Sequence, residues 1–223
     1  MPVLSFVSSK GGAGKTTTCV VIATELARYS TVCIIDVDKM QRSIRWSQKT
    51  ENLPENISIK SCLDKKELAP MVRAADATFD YVLIDTKGDA SELNSLVIAE
   101  SDLVIVPLKD DQQAADDTIF TVDEIKAVSF SYRREIPFRL LFNNIKQVGN
   151  PKLSSHINAE LRSEYPSFKT ELKERPAFNA MMHFGGGLAN IPSEITGVDA
   201  ATENAFQVVS ELTDILAKGD SND

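Results

Sequence analysis

The 223-residue chain is poor in cysteine, and Cys19, Cys33 and Cys62 form neither a C-x-x-C pair nor a zinc-ligand spacing. An odd count of this kind suits reduced thiols and excludes a disulfide framework. The chain also lacks an apolar run of the roughly 18 to 20 residues that a bilayer-crossing helix needs. Its start, Met-Pro-Val-Leu-Ser-Phe-Val, carries no basic leader or cleavage site, so a cytoplasmic location is expected. Base is not in excess: 24 Lys and Arg against 32 Asp and Glu leave a net charge of -8. That excludes an overall electrostatic grip on DNA or anionic lipid and confines any such contact to a local patch. No fixed-period repeat, low-complexity tract or Pro/Gly/Ser linker divides the chain, which points to one domain over residues 1–217 with a disordered tail at 218–223. What the chain does have is 43% apolar residues, enough to bury a core.

Those apolar residues alternate between short β-branched runs and longer helical stretches. Strands are expected at Val3–Ser8, Thr31–Asp36, Tyr81–Asp85, Leu103–Pro107 and Phe138–Asn143. Helices are expected at Lys15–Arg28, around Ser43–Lys49, after an Asp64 cap, near Asp116–Val128, near Lys152–Glu164 and at Ala200–Leu216. Val-Cys-Ile-Ile, Tyr-Val-Leu-Ile and Leu-Val-Ile-Val are apolar throughout, as befits strands covered on both faces. The expected fold is therefore α/β, a doubly wound and mostly parallel sheet with ligands at the carboxyl ends of its strands.

Directly after the first strand comes Ser9-Lys10-Gly11-Gly12-Ala13-Gly14-Lys15-Thr16-Thr17, opening a helix. The glycines let backbone N–H groups converge on phosphate oxygens, and the helix N-terminus adds its positive dipole end. Lys15 is suited to the β and γ phosphates and the Thr16 hydroxyl to a Mg²⁺ shell. Ser9 stands where the general P-loop pattern has glycine. At the strand ends, Asp85 follows four apolar residues in the manner of a Walker B carboxylate, which holds Mg²⁺ through water. Asp36 and Asp38 close another strand, Asp36 having an equal claim as a helix cap. No glutamate follows Asp85, so Asp38 is the best-placed carboxylate for the attacking water.

The string Lys10-Gly11-Gly12-Ala13-Gly14-Lys15-Thr16-Thr17 resembles the deviant Walker A box of the ParA/MinD superfamily of ATPases, and motif-level resemblance extends from Val3 to Pro107. It implies a P-loop NTPase fold using ATP and Mg²⁺, and a Lys10 that reaches across a homodimer to the partner's phosphates. Such a charge supplied in trans is worth around 10³ to 10⁵ in rate in other nucleotidases. The resemblance further implies that Asp38 orients water and that Asn143 contacts adenine, a plain strand-end amide being the alternative. The chain departs from the family's Asp-x-Pro after the Walker B strand, reading Asp85-Thr86-Lys87-Gly88, where Gly88 still permits a switch movement.

Cargo is a separate question, since one switch serves several. Iron-sulfur relatives need paired cysteines, which are missing, and membrane placement of the MinD kind needs a basic amphipathic C-terminal helix. Here that helix carries Glu203, Glu211 and Asp214, so no membrane is expected, and Phe206, Val209, Leu212 and Leu216 are expected to pack on the sheet. From Lys126 to Pro176, ten basic residues against five acidic ones give a local +5, suited to a weak, sequence-independent hold on DNA. The resemblance thus implies a ParA-type partition ATPase, dimeric with ATP, nucleoid-associated, and stimulated by a small centromere-binding, ParB-like partner. The alternatives are an ATPase positioning another cargo, such as a VirC-type helper of conjugative DNA transfer, and an ATP-dependent ligase, which would not need Lys10.

Overall fold

The computed structural model describes residues 1–88, 91–109, 112–145 and 151–219. Its elements run β1 (Val3–Phe6), α1 (Lys15–Leu26), β2 (Val32–Asp36), α2 (Arg42–Ser47), β3 (Ile57–Ser61), α3 (Lys65–Asp76), β4 (Tyr81–Asp85) and α4 (Glu92–Glu100). They continue with β5 (Leu103–Leu108), α5 (Gln112–Tyr132), β6 (Phe138–Ile145), α6 (Pro151–Glu164), β7 (Leu172–Lys173), α7 (Pro176–Phe184) and α8 (Val198–Gly219). The seven strands form one sheet in the order β3-β2-β4-β1-β5-β6-β7, and every pairing is parallel.

Alternation along each strand divides the core. Leu4, Phe6, Ile34, Leu83, Ile105 and Leu141 point to the face covered by α1, α2, α7 and α8. Their neighbours Val3, Cys33, Ile35, Val82, Ile84, Val104 and Phe142 point to the face covered by α3, α4, α5 and α6. This two-sided burial is why the strands read as unbroken apolar runs. Cys19, Cys33 and Cys62 are all buried free thiols.

The expected strands and helices all form, with ends shifted by a few residues. Asp64 caps α3 as expected, accepting the Lys66 N–H at 2.9 Å, and Leu68, Val72 and Ala75 of that helix are buried. Four elements were not anticipated. β3, with the alternating sequence Ile-Ser-Ile-Lys-Ser, is an edge strand paired only with β2, and it therefore has no continuous apolar run to advertise it. The short β7 and the helices α4 and α7 complete the set. Phe206 corrects the reading of the last helix: it is 47% exposed, whereas Val209 and Leu212 are buried. That helix runs through Gly219, two residues into the stretch read as a tail, and residues 220–223 lie outside those described. No helix among the described residues is long and apolar enough to cross a membrane.

Leu83 sits fully buried in β4, which pairs with β1 on one side and β2 on the other. Leu83→Ala is expected to lose about 2 to 5 kcal/mol, measured by urea denaturation, because the flanking strands cannot close on the void.

Candidate active site

Sheet register assembles the site. Asp36 of β2 lies opposite Asp85 of β4, and Asp85 lies opposite Phe6 of β1. The loop that leaves β1 therefore emerges beside two carboxylates. This loop turns with Gly12 and Gly14 at φ of 90° and 91°, a region that glycine enters without strain. A Cβ on Gly14 would also fall 2.0 Å from Asn143 Nδ2, so glycine is required there on both counts. Ser9 explains its own presence: its hydroxyl donates to the Asp117 carbonyl at 2.9 Å and its N–H to Thr121 Oγ1 at 3.0 Å. These bonds tie the start of the loop to α5. Lys15, buried, folds its Nζ back onto the Lys10 carbonyl at 3.2 Å.

A cleft of about 410 Å³ opens between this loop and the ends of β2 and β4. Gly11, Gly12, Gly14, Lys15, Thr16 and Thr17 line one side, and Asp38, Thr86, Lys87 and Gly88 the other. Met40 and Arg42 lie at its rim with Asn179 and Met182 of α7. A Cβ on Gly88 would meet the Lys10 carbonyl oxygen at 2.5 Å, so the two loops touch backbone to backbone.

The carboxylates have distinct surroundings. Asp85 is fully buried, accepting the Ser43 hydroxyl at 2.7 Å on one oxygen and the Thr16 hydroxyl at 3.2 Å on the other. Burial, with Asp36 adding repulsion, pushes its carboxyl up to about 7 against the pull of those hydroxyls and of Lys15. Asp36 is a cap: its oxygens accept the N–H groups of Ser43 at 2.9 Å, Ile44 at 3.2 Å and Asp38 at 3.0 Å, although burial still raises its carboxyl. Asp38, at the cleft wall and 5% exposed, accepts the Met40 N–H at 2.9 Å.

The donor set suits Mg²⁺ held jointly with phosphate. Asp85 and Thr16 offer hard oxygen ligands side by side. Among the described residues no group of three or more His, Cys, Asp or Glu could hold a metal alone. The residues that would hold the ion are thus Asp85 and Thr16, with Ser43 orienting the carboxylate.

Lys10 lies apart from this cleft. Its ammonium, 47% exposed, pairs with Asp117 Oδ2 at 3.5 Å on the α5 side of the loop, in a second depression with Pro107 and Lys109. Asn143 is brought to the loop from behind, its Nδ2 donating to the Ala13 carbonyl at 3.1 Å and Thr18 Oγ1 at 3.0 Å. Residue-by-residue reading missed Ser43, Asp117 and Thr121, whose partners lie 42 to 112 positions away. Three cations of the basic segment are engaged within the fold. Arg134 donates to the Ala99 and Ser101 carbonyls, Arg162 pairs with Glu171 and covers Phe142, and Lys126 lies over Tyr165. Lys146 and the Lys152 side chain lie outside the described residues.

A family model described as VirC1 protein matches residues 1–216. The ParA protein of Rhizobium radiobacter is 32% identical over 232 residues, covering 97% of this chain and all of that one. Among solved structures, apo McdA of Cyanothece superposes with a TM-score of 0.77 at 16% identity, over 95% of this chain and 99% of that one. MinD of Pyrococcus horikoshii complexed with Mg-ADP does so with a TM-score of 0.67 at 13% identity, over 98% of each.

Because the Asp85 carboxyl is raised from 3.8 to about 7, the folded chain keeps a proton there that the unfolded chain has already released. Its contribution to stability therefore declines as pH rises across that window, by at most about 1.4 kcal/mol per pH unit. Asp85→Asn is expected to be more stable than the parent at pH 8 in the absence of nucleotide and Mg²⁺, by the order of 1 to 3 kcal/mol. The gap should close below about pH 5, as urea denaturation across pH would measure.

Proposed function

The chain belongs to the VirC1 protein family, within the ParA/MinD superfamily of ATPases, and on that premise we propose that it is a ParA-type DNA partition ATPase. Two copies close over two molecules of ATP with Mg²⁺, the closed dimer holds DNA without regard to sequence, and hydrolysis opens it. A small centromere-binding, ParB-like protein accelerates that step, so the chain alone turns over slowly and associates with the nucleoid while ATP is bound. The observation that carries this reading is the division of labour between two lysines of one loop: Lys15 serves the cleft of its own chain, while Lys10 is held outside it on Asp117.

In this mechanism the Gly11–Gly14 amides and Lys15 bind the β and γ phosphates, and Thr17 extends the donors at the helix N-terminus. Thr16 and Asp85 would hold a Mg²⁺ ion, which when bound would supply positive charge against those phosphates. Asp38 orients the attacking water from the opposite wall, and Asn143 holds the loop while its remaining oxygen is available toward adenine. Lys10 leaves Asp117 and stabilises the charge that develops on the partner's transferred phosphoryl group. Gly88, pressed against Lys10, relays loss of the γ phosphate to the segment after β4. Match to the VirC1 model favours one second reading, a positioning ATPase that helps conjugative DNA transfer with the same chemistry. Membrane placement has less support, since α8 exposes Glu203 and Asp214.

Two substitutions test the mechanism. Lys10→Ala is expected to bind ATP within a few-fold of the parent, to stay monomeric by light scattering and to lose at least about 10³ in turnover; a dimer that hydrolyses normally would remove the trans lysine. Asp38→Ala is expected to accumulate an ATP-bound dimer with turnover reduced by about 10² or more, read by light scattering and phosphate release. Parent-level hydrolysis would reassign the water-orienting role.

A further inference from the structure

We propose that the exposed face of α2, with Lys39, Arg42, Arg45 and Lys49, is the surface that grips the DNA phosphate backbone; this rests on the partition reading above and locates the contact it requires. Residues 39–49 carry four cations and no carboxylate, in a chain whose net charge is -8. The helix sorts them to one side. Ser43 and Trp46 are buried beneath it, while Arg42 and Arg45, three apart, are exposed on its other side, with Lys39 before the helix and Lys49 in the turn after it also exposed.

Three observations separate this face from an ordinary solvated helix. First, Lys39, Arg42 and Arg45 form no ion pair among the described residues, so their charge is free to be spent on a ligand. The basic segment 126–176, by contrast, has already committed Arg134, Arg162 and Lys126 to contacts within the fold. Second, the ridge is rigid. Asp36 caps α2 through two backbone N–H groups, the Trp46 side chain is in the core, and Lys49 Nζ reaches the Met182 carbonyl of α7 at 2.7 Å. Third, Ser43 on its buried side donates to Asp85, and Arg42 stands at the rim of the cleft. The face is therefore built on the element that adjoins the nucleotide, as an ATP-dependent grip requires. Arginines side by side offer the planar, bidentate donors that phosphate oxygens accept. Carboxylates adjoin the ridge only at its flanks: Asp38 shares the cleft lining with Arg42, and Asp64 and Glu92 share a depression with Lys39.

The test is binding of a fluorescein-labelled duplex of random sequence to the full chain with ATP and Mg²⁺, titrated against salt. About four to six phosphate contacts give the parent a log-log slope of roughly -4 to -5. Lys39→Gln with Arg45→Gln should make that slope shallower by about two and weaken binding by roughly 10- to 100-fold at about 0.1 M salt. Lys39→Arg with Arg45→Lys should keep the parental slope, and ATP binding with circular dichroism would verify that each variant is folded. A second variant, Arg133→Ala with Lys169→Ala and Lys173→Ala, probes the segment 126–176. If that variant loses the slope while the α2 neutralisation keeps it, the α2 assignment is overturned and the partition reading stands. If the parent itself binds no duplex at low salt, both fall.

Discussion

Two carboxylates side by side at the buried ends of adjacent strands are the constraint around which the cleft is arranged. Register places Asp36 opposite Asp85, and both are fully shielded from water, where mutual repulsion is strong and desolvation costly. The chain resolves the two differently. Asp36 is satisfied by backbone, since α2 begins where its first N–H groups can donate to that carboxylate, which also adds the favourable end of the helix dipole. The position of α2 is thus a consequence of Asp36. Asp85 receives only hydroxyls and a more distant Lys15, so it retains a deficit of positive charge that a divalent cation would fill. One aspartate is satisfied by structure, and its neighbour is the one the proposed chemistry would use.

The phosphate loop is held between the two halves of the molecule in a comparable way. On the α1 side, Asn143 fastens its end; on the α5 side, Ser9, Thr121 and Asp117 fasten its start. Only Lys10 is left with a half-exposed ion pair. Such pairs contribute about 0 to 1 kcal/mol, so taking Lys10 off Asp117 costs little beside the gain of meeting a polyphosphate. Lys15 differs, being buried and directed by backbone carbonyl and hydroxyl oxygens. Lys10 is thus held by one exposed contact, as the proposed movement toward a partner would require, while Lys15 is held from several sides.

Much of this could be read from the chain because the strongest signals are local. Strand, glycines, Lys-Thr and helix follow one another within fifteen residues, and the aspartates close apolar runs whose burial on both faces forbids charge elsewhere. Contacts made across the sheet were not legible. Ser43, Thr121 and Asp117 look like ordinary helix residues until the fold brings each to its partner, and no periodicity encodes that meeting. β3 was hidden for another reason: an edge strand with one wet face alternates where the central strands do not. Phe206 was misplaced because helical spacing fixes which residues share a stripe but not how wide a stripe the neighbouring elements cover. A charge count over 126–176 likewise does not reveal that Arg134, Arg162 and Lys126 are engaged with carbonyls, a carboxylate and rings.

The acidic balance of the whole chain gives the basic ridge on α2 its meaning. A protein of net charge -8 is repelled by nucleic acid at long range, so a single ridge of a few cations holds a duplex only marginally at physiological salt. Each phosphate contact contributes about 0.9 to the exponent of the salt dependence. Doubling the contacts by pairing two chains therefore multiplies two weak binding constants, in place of merely adding them, provided both ridges reach one duplex. On the proposed reading, this repulsion would weaken a single ridge's hold on DNA, and a second ridge brought by pairing would offset it. An overall basic protein would hold DNA in both states and lose the distinction, so the excess of acid elsewhere on the surface sharpens the dependence of the grip on pairing.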